Sequence, residues 1–133
     1  MKLIPVAYRD LISDEVRAYA FLATTMADGT PQVTPVWFNT DGEHILINSA
    51  KGRVKDINMR ARPQVALAIM DLADPYRYLQ LRGRVVEITE VGGREHIDAL
   101  SKKYTGRDKF LPENRSQDEV RVIYKIYPDR IAV

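Results

Sequence analysis

Two Asp-Gly pairs, Asp28-Gly29 and Asp41-Gly42, punctuate the first third of this 133-residue chain. An Asp-Gly pair between apolar runs marks a hairpin, because glycine enters the positive-φ region that a tight turn needs. Two such turns in succession predict three strands in an antiparallel meander: Arg17 to Met26, Pro31 to Asn39 and His44 to Ser49. The first is apolar and Thr-rich and reads as a strand buried on both faces. Ile45, Leu46 and Ile47 form the apolar run of the third.

Beyond Ser49 the pattern changes. Lys51 to Arg60 reads as a short helix, ended before Pro63. Val54 and Ile57 are three residues apart, so they are expected to face inward while the basic residues project outward. Val65 to Asp71 is again a buried strand. From Pro75 a strand runs to about Thr89, with Tyr76, Tyr78, Gln80, Arg82 and Arg84 on one face, and Gly83 suggests a bulge or a close backbone approach. Gly92 and Gly93 break it. Ile97, Leu100 and Tyr104 recur at helical spacing, giving an amphipathic helix over Arg94 to Tyr104 that Gly106 ends. Thr105 to Gln117 is a polar loop. Val120 to Tyr127 alternates as the last full strand, Pro128 and Asp129 turn the chain, and Arg130 to Val133 adds a short strand. Pro5 opens a short helix to about Ile12. The expected fold is mainly β: a six-stranded antiparallel barrel with two or three short helices, in one domain over 1–133.

Composition closes off several function classes. There is no cysteine, which excludes disulfides, thiol catalysis and thiolate metal sites. Met1 to Asp10 is too polar for a signal peptide, and no apolar run approaches a bilayer span, so a cytoplasmic protein with no membrane role is expected. Net charge is only +2, but Lys51, Arg53, Lys55, Arg60 and Arg62 crowd together. A local basic patch on a near-neutral chain points to a small anionic ligand. Aromatic residues do not interleave with it as a stacking platform would require, so no nucleic-acid partner is expected. No nucleophile elbow, Gly-rich phosphate loop or metal cluster is present, and the catalytic residues stay unassigned. His44 reads as a strand-edge residue and His96 as a helix-surface residue.

Three segments could hold a ligand. Asn48, Ser49, Lys51, Arg53 and Lys55 lie where a strand hands over to a helix; free N–H groups, Gly52 and the cations suit a phosphate, and a solvated basic helix face is the alternative. Thr34-Pro35-Val36-Trp37 places a proline inside a strand, which suits an edge strand with a core aromatic or a backbone bordering a flat ring. Tyr78 and Gln80 share one face of their strand and suit either ordinary surface or a heteroaromatic ring edge.

Taken in order, residues 27–38, 47–58 and 74–85, with the later Lys-Lys-Tyr-Thr-Gly at 102–106, resemble the pyridoxamine 5′-phosphate oxidase-like split-barrel proteins. They are most similar to the short branch of F420-dependent oxidoreductases. The resemblance implies an FMN-binding split barrel and a homodimer with cofactor sites at the subunit interface. Arg53 and Lys55 would hold the phosphate, and Asn48 and Ser49 would border it or the ribityl chain. Thr34, Pro35, Val36 and Trp37 would line the ring. Tyr78 and Gln80 would approach it from the partner subunit, and the excess charge around Lys51 would receive an oligoglutamate tail. The chemistry implied is hydride transfer from the deazaflavin F420 to an unsaturated small molecule. FMN as the cofactor, or a non-catalytic flavin-binding role, are the alternatives. The vitamin B6 oxidases end in an Arg- and His-rich substrate-phosphate segment where this chain has Arg130-Ile131-Ala132-Val133, so pyridoxamine phosphate oxidation is not expected.

Overall fold

The computed structural model describes residue 1, residues 3–110 and residues 119–133. A 3-10 helix at Val6–Ile12 is followed by β1 (Tyr19–Thr25), β2 (Pro31–Val36), β3 (Phe38–Thr40), β4 (Ile45–Ala50), α1 (Val54–Ala61), β5 (Gln64–Asp71), β6 (Asp74–Thr89), α2 (Gly93–Thr105) and β7 (Arg121–Ala132). All strand pairs are antiparallel, in the order β2-β1-β5-β6-β7-β4-β3.

That order explains why seven strands stand where six were expected. β2 and β3 are the two halves of the predicted Pro31 to Asn39 strand, interrupted at Trp37. They form the opposite edges of the sheet, yet one residue joins them. The sheet must therefore curl until its edges meet, and Trp37 sits at the split. Pro35 lies on edge strand β2, where its missing N–H breaks no ladder bond on the outer side.

The first turn is a three-residue loop closed by Gly29 N–H to Met26 O at 2.9 Å, with Gly29 at φ 89°. In the second, the Asp41 carboxylate accepts the Glu43 and His44 N–H groups at 2.9 and 2.8 Å. β1 is not buried on both faces. It alternates, with Ala20, Leu22 and Thr24 inside and Tyr19, Phe21 and Ala23 outside, because none of the described residues covers the outer side of the sheet there. β5 alternates in the same way.

Inside the curl, Phe38, Ile45, Ile47, Leu67, Ile69, Leu79, Leu81, Tyr124 and Ile126 form the core, with Ile4 and Leu11 of the N-terminal segment closing it. Each such side chain contributes about 1.5–3 kcal/mol when fully buried. β6 and β7 carry two register shifts. At the first, a Cβ on Gly83 would come within 2.2 Å of the Tyr127 carbonyl oxygen, so the bulge needs glycine. The chain does not turn at Pro128: Asp129 is the extra residue of a bulge and β7 continues to Ala132.

α1 begins at Val54, three residues later than expected, and its orientation is the reverse of the sequence reading. Val54 and Ile57 are exposed, while Asp56, Asn58 and Met59 are buried. Beside Met59, the inward face is polar because it has polar partners. Asp56 accepts the Tyr124 hydroxyl at 2.5 Å and the Gly52 N–H at 2.9 Å, and Asn58 donates to Thr24 Oγ1 at 3.0 Å.

Candidate functional site

α2 is built for one buried stripe. Ile97, Leu100 and Ser101 face the barrel, Lys102 and Lys103 complement the dipole in the last turn, and Gly106 caps the end at φ 80°. Its first turn reaches β7 closely: a Cβ on Gly93 would meet the Arg121 carbonyl oxygen at 2.1 Å. The helix thereby covers the side of β4 and β7 that carries Asn48 and Arg121, and leaves a cleft of about 300 Å³ beside the split.

One wall of the cleft is Tyr19 with Pro35, Val36 and Trp37; the other is Ile97 and Leu100 of α2 with Phe110. Asn48, Lys55 and Arg121 supply its polar end. The Trp37 indole stacks on Tyr104 at 5.4 Å and 7°, and meets Phe110 edge-on at 6.0 Å. A concave site with apolar walls and a cationic end suits a flat molecule carrying an anionic group.

A polar network fixes that end. Asn48 donates from Nδ2 to the Gly93 carbonyl at 2.9 Å and accepts from Arg121 Nε at 2.8 Å. The Arg121 guanidinium also donates to Glu119 at 2.6 Å, and Arg53 lies 3.7 Å from the same carboxylate. These bonds set the Asn48 amide with its NH2 toward His96 Nδ1, at 3.0 Å. Nδ1 must then accept, and the proton sits on Nε2, which donates to Asn39 Oδ1 at 2.8 Å. Burial, then the nearby Arg121 charge, lower the His96 pKa from 6.5 to about 4. His96 is thus a buried, neutral member of the network and not the helix-surface residue expected.

Asp56 supports the strand–helix junction from below. Burial raises its carboxyl, but the Gly52 N–H, the Tyr124 hydroxyl and Arg60 outweigh that and hold it below 3.8. At Gly52, φ is 93° and, among the described residues, no atom lies within 4 Å of where a Cβ would stand, so the backbone is open to a ligand.

Of the sequence-predicted residues, the structure gathers Pro35, Val36, Trp37, Asn48 and Lys55 at the cleft. Thr34 and Ser49 adjoin it in sequence, and the Oγ atom of each is buried with no hydrogen-bond partner among the described residues. Lys51 is exposed and pairs with Glu90 at 3.1 Å. Arg53 is partly exposed at the start of α1. Tyr78 and Gln80 are on the outer face of β6, and Gln80 lines a separate groove there with Phe21, Ala23 and Val33. Of the Thr105 to Gln117 loop, residues 111–117 lie outside the described residues, and Thr105 itself belongs to α2. Sequence reasoning missed Tyr19, Phe110 and Arg121. For Arg121 a signal existed: the β7 alternation sets it opposite Val122 and Tyr124, and only the packing of α2 makes that side a site.

The family model described as pyridoxamine 5′-phosphate oxidase matches residues 6–133. A solved F420 reductase is 35% identical, covering 97% of this chain and 98% of that one, with a TM-score of 0.83. A conserved hypothetical protein from Mycobacterium tuberculosis is 23% identical, covering 96% and 82%, with a TM-score of 0.69. A putative pyridoxamine 5′-phosphate oxidase from Listeria innocua is 22% identical, covering 87% and 86%, with a TM-score of 0.64. The last two share the fold. None of the curated protein sequences compared matches. Among the described residues, no helix is long and apolar enough to cross a membrane.

Proposed function

The chain belongs to the pyridoxamine 5′-phosphate oxidase family, and from that premise we propose that it is an oxidoreductase that holds the deazaflavin F420 in the α2 cleft and serves hydride transfer to an unsaturated small molecule. The observation that carries this reading is the cleft itself, where the Pro35–Trp37 wall stands across from α2 and beside Lys55 and Arg121. The full-length likeness to a protein named an F420 reductase supports the choice of cofactor.

The residues fit such a group. The walls are apolar and aromatic, as a fused ring requires, and the cations sit at one end, as a phosphate requires. The buried Thr34 and Ser49 hydroxyls, lacking partners among the described residues, are groups that a bound polar ligand would satisfy. Lys55 and Arg53 would take the phosphate, with the open Gly52 backbone letting it approach. Asn48, locked by Gly93 and Arg121, would border it with Ser49. Lys51 would receive an acidic tail. When bound, the cofactor supplies the hydride; the protein orients the ring and keeps water out.

A homodimer belongs to the same reading. Phe21, Ala23, Ala66 and Ala68 lie on the outer sheet face, and Val33 is 65% exposed there. A second copy covering this face would bring Tyr78 and Gln80 of one copy toward the ring held by the other.

The test is anaerobic titration with F420 and with FMN side by side, followed by steady-state reduction of a test acceptor. Binding of F420 with turnover supports the proposal. Preference for FMN reassigns the cofactor. Binding without turnover makes the protein a carrier, and binding of neither ends the reading.

A further inference from the structure

Among the described residues, Lys103 is the one lysine whose side chain the barrel takes in, at 4% exposure. Its Nζ donates to the Phe38 carbonyl at 2.7 Å and lies 4.2 Å from the centre of the Phe38 ring and 4.9 Å from that of Tyr104. The carboxylate beside it, Asp14, is 3.4 Å away and largely exposed. Burying an ammonium this way is unfavourable, and burial lowers its pKa. A methionine of similar length would fill the space without that penalty. What only the lysine supplies is a donor to the carbonyl next to Trp37, where the chain leaves one sheet edge for the other.

Tyr104, the next residue, acts at the same point. Its hydroxyl donates to the Ala18 carbonyl at 2.7 Å and accepts the Phe38 N–H at 3.4 Å, and its ring stacks on the indole. The last turn of α2 therefore grips the backbone on one side of Trp37 and one face of its ring, while Trp37 lines the cleft.

We propose that Lys103 and Tyr104 are positioning residues of the cleft: by holding the Phe38 carbonyl and stacking on Trp37, they fix the indole as the wall against which a flat, electron-poor acceptor packs. This rests on the oxidoreductase reading above for the word acceptor, but not for the geometry.

Trp37 is the sole tryptophan, so its emission reports on the clamp. The full-length protein and its Lys103→Met, Tyr104→Leu and Tyr104→Phe variants are titrated with 4-nitrobenzyl alcohol, a flat electron-poor quencher, and separately with F420 and FMN. In Lys103→Met and Tyr104→Leu, Trp37 emission should shift to the red and probe affinity should fall about five- to ten-fold. Cofactor affinity should fall as well, because Trp37 belongs to the wall assigned to the cofactor ring. Tyr104→Phe keeps the ring stack and should hold probe affinity within about two-fold of the parent. Unchanged emission and probe affinity in both disruptive variants overturn the proposal. So does a fall in probe affinity with Trp37 emission unshifted, which shows that the clamp does not act through the indole. If Lys103→Met does not fold by circular dichroism, the two Tyr104 variants decide alone. If the parent binds neither cofactor, the oxidoreductase reading falls, while the probe titration, which needs none, still judges the clamp.

Discussion

His96 carries the clearest single-residue consequence. It is neutral in the folded chain down to about pH 4, but an unfolded histidine protonates below 6.5. Between those values the unfolded state binds the extra proton, so stability falls as pH falls. Moving from pH 7 to pH 5 should remove about 2 kcal/mol, read as a shift in urea midpoint, and His96→Gln should abolish most of that dependence. Asp56 acts in a lower window: its contribution is complete above 3.8 and is lost as pH drops below that value. At the proposed phosphate site, Arg53→Ala should weaken cofactor binding by about 2 kcal/mol, roughly 30-fold in a fluorescence titration. Unchanged affinity would remove Arg53 from the site.

At the scale of elements, α1 is the instructive case. Val54 and Ile57 look outward, and its inward face sets a hydrogen-bonded carboxylate and amide beside Met59. Asp56→Ala leaves the buried Tyr124 hydroxyl without its acceptor and frees the Gly52 N–H, a loss of about 3 kcal/mol. Ile57→Ser should stay within about 0.5 kcal/mol. Chemical denaturation of the two variants compares them directly, and the opposite order would restore the pattern-based orientation. The periodicity reading failed here because a helix of eight residues offers two turns of evidence, and two apolar residues do not outweigh specific polar partners supplied by β1 and β7. α2 succeeded because its stripe runs over three turns and is bounded by glycines on both sides.

For the whole molecule, the outer sheet face, which none of the described residues covers, sets the prediction. If a second copy packs there, Ala68→Glu should convert a dimer to a monomer in sedimentation velocity, by placing a charge in an apolar interface. It should weaken cofactor binding at the same time, because Tyr78 and Gln80 would no longer reach the neighbouring ring. A parent chain that sediments as a monomer at micromolar concentration removes that part of the reading.

Local chemistry was enough to place most strands, both helices, the hairpins and the need for glycine at position 83, because turns, periodicity and close approaches are written in neighbouring residues. The membership of Pro35–Trp37, Asn48 and Lys55 in one cleft was legible only as a resemblance, since those segments are separated in the chain. Three matters were left to the tertiary structure: that one strand serves both edges of the sheet, that α1 turns its polar side inward, and that α2 makes Arg121, His96 and Asn48 one buried network. Each depends on which surface meets which, and a contact between distant segments leaves no periodic trace in either of them.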